Sequence, residues 1–343
     1  MRRLLNTLFV TTEDIYLTLD GENVVAVQKD KTLGRYPLHT LSSIICFTYA
    51  GASPALMGAC AHRGVGLCFF SPNGRFLART VGDSIGNVLL RRTQYRIADD
   101  DDKSVDIAKN MILGKLYNSR WSIERTIRDH SMRVNTNALS ESSAFLYESL
   151  HKAKTLTDKP QLRGLEGEAA KAYFQAMDEM ILCSKEDFFF KERSRRPPRD
   201  KLNALLSFAY AMLASECASA AESVGLDSFV GFMHTDKSGR RSLALDLMEE
   251  LRPCFADRFV LTLINNRMVK PPDFEIRESG AVMLTKGARQ VFLAAWQERK
   301  RDTITHPFLK EKLPWGLVPY VQALLLSRHL RGDMDGYPPF LWK

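Results

Sequence analysis

Apolar residues in the first part of the chain fall in short runs separated by turn formers, the pattern of strands rather than helices. Leu5 to Thr11 carries β-type residues. Ile15 to Leu19 and Val24 to Val27 flank Asp20-Gly21-Glu22-Asn23, which predicts a hairpin. Arg35 to Leu38 reads as extended, because Pro37 disfavours helical backbone at Tyr36. Ser43 to Tyr49 is another apolar run, and Pro54 to His62 has helical character. Val65 to Phe70 and Arg75 to Val81 flank a second turn signal, Ser71-Pro72-Asn73-Gly74.

Beyond Gly82 the period lengthens to that of helices. Helices are predicted over Asn87 to Ile97, Val105 to Tyr117, Trp121 to His130, Ser140 to Lys154 and Gly164 to Ile181. Others are predicted over Lys201 to Ser223, Ser242 to Leu251, Cys254 to Asn265, Lys286 to Arg299 and Leu317 to Leu330. The acidic run Asp99 to Asp102 reads as a solvated loop. The expected fold class is therefore multidomain α and β: a small β-rich N-terminal domain over residues 1–82, a linker at 83–86, and a larger all-α domain over 87–343.

Composition narrows the class. A length of 343 residues fits two domains at roughly 150 residues each. Hydrophobic residues at 45% and charged residues at 26% exclude a disordered chain, a collagen-like fibre and a disulfide scaffold. Lys and Arg number 48 against 40 Asp and Glu, a surplus of +8 that points toward an anionic partner. The six cysteines form no CxxC pair and sit mostly in apolar runs, as reduced buried thiols do. The N-terminus lacks the apolar core of a signal peptide, and no run of about 18 apolar residues is evident. A cytoplasmic protein without a membrane span is expected.

Three segments carry candidate chemistry. Ala170, Tyr173, Met177, Met180 and Ile181 form an apolar helical stripe that, extended back, begins at Glu166. Glu166 is either a carboxylate in a core position, which needs a cation, or a residue of an exposed first turn favoured by the helix dipole. The second segment runs from Gly231 to Pro253. Ser242 is read as its helix cap and Pro253 as its stop. Asp246 and Glu249 share one face of that mostly apolar helix, and His234 precedes it. These are either a solvated edge and a surface histidine, or parts of a divalent-metal site for Mg²⁺ or Mn²⁺. The third segment, Lys191 to Lys201, holds six basic and two acidic residues around Pro197-Pro198. Arg193, Arg195, Arg196, Arg199 and Lys201, with Lys237, Arg240 and Arg241, are candidate DNA-backbone contacts, against the alternative of a solvated loop.

Leu162-Arg163-Gly164-Leu165-Glu166-Gly167 with Tyr173-Phe174, then Arg196 to Phe208, then Gly231 to Pro253, resemble the three ordered motifs of the CRISPR-associated adaptation integrases, the Cas1 family. The resemblance runs from Thr18-Leu19-Asp20-Gly21 to Tyr337-Pro338-Pro339-Phe340, and Gly51 to Met57 looks closest to the subtype I-C branch. It implies a β-rich domain for dimerisation and DNA positioning, and a helical catalytic domain. It implies a homodimer that works on double-stranded DNA with a small ferredoxin-like second adaptation protein, Cas2. It also implies that Glu166, His234 and Glu249 are catalytic and bind the metal, assisted by Asp246.

The activity implied is metal-dependent integration in spacer acquisition. The 3′-hydroxyl of a captured DNA fragment attacks a phosphodiester of the CRISPR repeat, one ester replacing another. No GxxxxGK[ST] loop is present, in line with chemistry that needs no ATP. The alternatives are a metal-dependent endonuclease acting on branched DNA and a DNA-binding scaffold without catalysis.

Overall fold

The computed structural model describes residues 5–72, 74–82 and 88–343. The expected linker at 83–86, Asn73 of the second turn and Asn87 lie outside the described residues. The chain forms two compact units. The first comprises Met1–Ile85, Leu284–Asp302 and Pro314–Leu317, and the second Gly86–Met283, Thr303–Leu313 and Val318–Lys343.

In the first unit the strands are β1 (Asn6–Val10), β2 (Tyr16–Asp20), β3 (Asn23–Gln28), β4 (Lys31–Pro37), β5 (Leu41–Cys46), β6 (Gly66–Phe70) and β7 (Phe76–Thr80). β2, β3 and β4 form an antiparallel sheet. Asp20 pairs with Asn23 across a two-residue turn in which Gly21 has φ +56°, a conformation glycine adopts without a Cβ penalty. The second sheet has the order β1-β5-β6-β7, parallel except for its last pair. Helix α1 (Pro54–Arg63) is capped by Ser53, whose hydroxyl accepts from Leu56 N at 3.2 Å, and ends at Gly64 with φ +67°. Leu56 and Cys60 of α1, Leu17 and Val24 of one sheet, and Ile44, Cys46 and Leu67 of the other share one core. Burial pushes the Cys46 thiol up to about 12, and none of the six cysteines is in a disulfide.

The second unit holds α2 (Val88–Ala98), α3 (Asp101–His130), α4 (Thr136–Thr155), α5 (Lys159–Glu179), α6 (Lys201–Ser223), α7 (Ser242–Leu251), α8 (Arg258–Asn265) and α10 (Val318–Leu330). Helix α9 (Lys286–Arg301) belongs to the first unit, so the boundary at 82 leaves part of that unit unassigned. Two short ladders, β8 (Phe274–Ile276) with β9 (Val282–Leu284) and β10 (Thr303–Thr305) with β11 (Lys312–Pro314), were not expected.

Three details of the helical unit differ from the sequence reading, each for a physical reason. The acidic run is not a loop: the Asp100 carboxylate accepts from Lys103 N at 3.2 Å as N-cap, and Asp101 and Asp102 sit in the first turn, where the helix dipole favours them. The two helices expected over 105–130 are one. Asn118 lies inside it, fully buried, donating to Glu250 O at 2.7 Å and Phe340 O at 2.8 Å. Pro253 does not stop α7. The chain continues through a π-helical turn, Arg252–Asp257, into α8. Ser122 of α3 donates to Pro253 O at 3.1 Å, so α3 satisfies backbone that the irregular turn leaves free.

Helix α6 is long and apolar enough to cross a membrane by length and composition. However, 67% of its apolar window is buried within the chain, packed against α7, α8 and α10.

Candidate active site

The site is built by α3, α5, α7 and the loop before α7. Helix α5 begins at Lys159, with Asp158 accepting from Gln161 N at 3.1 Å as its cap. Its buried face is Leu162, Leu165, Ala169, Tyr173, Ala176 and Met177. Glu166 is therefore well beyond the first turn, and its side chain is only 24% exposed. The exposed-first-turn reading falls, and the carboxylate needs a cation. Arg163, one turn earlier, donates to Met233 O at 2.7 Å and ties α5 to the His234 loop.

On α7, Asp246, Glu249 and Glu250 are all buried. Ser242 is the first helical residue rather than the cap, and its hydroxyl donates to Thr235 O at 3.2 Å. Asp246 is used in full as an acceptor. Its Oδ2 accepts from Phe232 N at 2.7 Å and Met233 N at 3.0 Å. Its Oδ1 accepts from His234 N at 3.0 Å and meets His234 Nδ1 at 2.5 Å. A fully buried carboxylate with four such partners has no oxygen left to aim at a metal. This geometry gives Asp246 the task of orienting His234, in place of the ligand role expected for it. With Nδ1 assigned as donor to Asp246, Nε2 is the ring nitrogen that remains for another partner.

Glu250 looks away from this cluster. Its oxygens take the Tyr337 hydroxyl, Phe340 N at 2.5 Å and Gln322 Nε2 at 3.1 Å, fastening the C-terminal segment. Burial pushes Glu250 up to about 8 against the pull of those donors.

Two cations complete the site. Lys115 of α3 is buried, and its ammonium contacts Glu166 Oε1 and lies 2.7 Å from Glu249 Oε2. Arg252 Nη1 lies 2.9 Å from Glu249 Oε1, and its guanidinium sits 4.9 Å over the Tyr210 ring. Burial alone would raise the Glu249 carboxyl, but Arg252 and Lys115 overcome it and hold Glu249 down at about 2. Burial alone would lower Lys115, and Glu249 and Glu166 together raise it instead. Sequence reasoning missed Lys115. The signal was present: Lys115 continues the buried stripe Ala108, Met111, Ile112 at helical spacing.

The donor set suits a divalent ion. Glu166 and Glu249 supply carboxylate oxygens from two helices, and His234, close enough to pull on the Glu249 titration, supplies a nitrogen held by Asp246. Glu249 Oε2 is buried and faces the Lys115 ammonium at 2.7 Å, so this oxygen already meets a cation. Among the described residues no group of three His, Cys, Asp or Glu is already closed around a metal position. The ammonium of Lys115 holds the two glutamates instead.

The expected DNA contacts divide. Arg193 is turned inward: its guanidinium donates to Asn203 Oδ1 at 2.5 Å and lies 5.2 Å from the Tyr210 ring. Burial lowers it from the usual arginine value. Lys201 pairs with Asp187 at 2.5 Å, Arg199 donates to Ser279 O at 3.1 Å, and Arg240 donates to Thr235. Arg241 lies 5.8 Å from the Phe229 ring. Arg195, Arg196 and Lys237 are exposed.

The profile of the family described as CRISPR associated protein Cas1 matches residues 8–298. The CRISPR-associated endonuclease Cas1 2 of Rhodospirillum rubrum is 49% identical over 347 residues, covering 100% of both chains. A casposase bound to integration product has the same fold, with TM-score 0.84 at 20% identity over 99% of this chain and 95% of that one. So does a chain of a Cas6-RT-Cas1–Cas2 complex, with TM-score 0.81 at 23% identity, covering 99% of this chain and 36% of that one. A match that spans most of the sequence, and a relative nearly half identical from end to end, establish that the chain belongs to the Cas1 family.

Proposed function

We propose that this protein is the metal-dependent integrase of CRISPR spacer acquisition, joining 3′-hydroxyl ends of captured DNA into the repeat by transesterification. One observation carries the reading: Glu166 and Glu249, on separate helices, meet around a single cation position beside a histidine already oriented by a buried aspartate.

Mg²⁺ or Mn²⁺ held by Glu166, His234 and Glu249 would neutralise charge at the reacting phosphate and lower the pKa of the attacking hydroxyl. The chain's own residues do the positioning. Asp246 fixes the imidazole and its loop, Arg163 holds Met233, and Arg252 keeps Glu249 ionised. A new O–P bond forms to the fragment 3′-oxygen as the repeat O–P bond breaks. The proton of the attacking hydroxyl passes to solvent and the leaving oxygen regains one. The exchange is between like esters and needs no ATP. Arg195, Arg196 and Lys237 are left to meet DNA phosphates.

The working assembly is proposed as a homodimer on double-stranded DNA with Cas2, in the bacterial or archaeal cytoplasm. The Cas6-RT-Cas1–Cas2 chain of the same fold supports the partner. Gly51 to Met57 supports placement in subtype I-C.

The relative's name favours a second reading, endonuclease action with water as nucleophile. A labelled fragment incubated with a repeat-bearing plasmid separates the two. Integration predicts covalent linkage that needs a free 3′-hydroxyl. Equal product from a 3′-blocked fragment would overturn it.

A further inference from the structure

The two site cations are held differently. Arg252 is fixed by Glu249 and by the Tyr210 ring, and Tyr210 donates to Asp257 at 2.5 Å. The Lys115 ammonium has hydrogen-bond or ion-pair contacts, among the described residues, only with Glu166 and Glu249, the two carboxylates expected to take the metal. We propose that Lys115 is an internal counter-ion that staples α3 to α5 and α7 in the metal-free protein and is displaced from both glutamates when a divalent ion binds. This rests on the metal-site reading above.

Charge argues for exchange rather than sharing. Three carboxylates, Glu166, Glu249 and the His234-bound Asp246, against Lys115 and Arg252 leave one net negative charge in a mostly buried cluster. Adding a divalent ion with the ammonium in place makes the cluster net positive and sets two cations on the same oxygens, where low polarisability strengthens their repulsion. Withdrawing the ammonium leaves two negative charges, matched by one divalent ion. Arg252 is a poor candidate to leave, because its planar guanidinium is both paired and stacked. Lys115 has a compact head on a flexible stem, and the 24% exposure of the Glu166 side chain opens that side of the pair to water. The ammonium thus spares two glutamates from facing each other unpaired, and competes with metal at the same oxygens.

The test uses the full-length protein in two arms. In the first, the wild type is acylated with an N-hydroxysuccinimide ester in chelator or in Mn²⁺, and modification is mapped by peptide mass spectrometry. Lys115 modification should rise several-fold with Mn²⁺, with the midpoint found by calorimetric Mn²⁺ titration, while exposed Lys237 stays constant. Calorimetric binding with no change at Lys115 overturns the displacement and leaves the metal site standing. In the second arm, Lys115→Met that melts cooperatively should bind Mn²⁺ at least tenfold tighter than wild type. Equal or weaker binding overturns the competition. Absence of Mn²⁺ binding in both wild type and Lys115→Met would overturn the metal-site reading itself, and the proposal with it.

Discussion

Replacing Asp246 by Asn isolates the role of the residue that holds His234. The substitution keeps shape and removes one acceptor oxygen and the charge. Four contacts of 2.5 to 3.0 Å converge on the wild-type carboxylate, two on each oxygen. The Asn carbonyl can keep one pair. Its amide then faces two N–H donors that have nothing to donate to. Hydrogen bonds to a charged group contribute roughly 1.5–3 kcal/mol each, so about 3–6 kcal/mol of local stability is at stake. Opening of the loop to water recovers part of it. A local loss of about 3 kcal/mol corresponds to roughly 100-fold faster opening. Hydrogen exchange at the amides of Phe232, Met233 and His234 reads this directly. Mn²⁺ affinity should fall by about 10–100-fold, as for other residues that orient a ligating histidine. Unchanged exchange at these amides together with unchanged Mn²⁺ affinity would refute the reasoning.

Other outcomes follow from the same geometry. Burial raises Glu250 from 4.5 to about 8 and Asp257 from 3.8 to about 6, so the folded chain holds protons that the unfolded chain releases. Stability from these groups is full at low pH and is lost as pH rises to about 6 for Asp257 and about 8 for Glu250. Glu250→Gln should flatten the fall in melting temperature between pH 5 and 8, and an equal fall in the variant would contradict this. Glu249 works in the opposite sense, stabilising above 4.5 and losing that contribution as pH drops toward about 2. A Cβ on Gly114 would meet Glu250 Cγ at 2.9 Å, so Gly114→Ala should cost about 1–3 kcal/mol in urea unfolding. An unchanged midpoint would show that Glu250 gives way freely. Arg195→Ala with Arg196→Ala should make the salt slope of DNA binding shallower by about 1.8, whereas an unaltered slope removes both from the footprint.

Much of the fold was legible where local chemistry and packing agree. The Asp20–Asn23 hairpin, α1, and the extents of α6 and α7 follow from turn residues and period. The reading failed where a distant partner decides. The break expected between Tyr117 and Trp121 is absent, and Asn118 there is held by Glu250 O and Phe340 O, partners far along the chain. Pro253 looked like a stop because the accommodation of its turn is made by Ser122. At the site, Glu166 was legible as a carboxylate continuing an apolar stripe, and Asp246 with Glu249 as an acidic strip on a mostly apolar helix, places where charge demands compensation. The compensating cation, Lys115, lies on the stripe Ala108, Met111, Ile112, but its partners Glu166 and Glu249 are far along the chain and no local pattern marks it as their counter-ion. The inward turn of Arg193 was not legible, because basic composition does not reveal which guanidinium folds back onto Asn203 and Tyr210.

The central claim, that Glu166, His234 and Glu249 carry phosphodiester transfer, is tested most directly by fragment joining with the folded variants Glu166→Gln, His234→Ala and Glu249→Gln in saturating Mn²⁺. The account predicts that each loses joining by at least 100-fold while binding DNA as wild type does. Joining at the wild-type rate by any one of the three would contradict it.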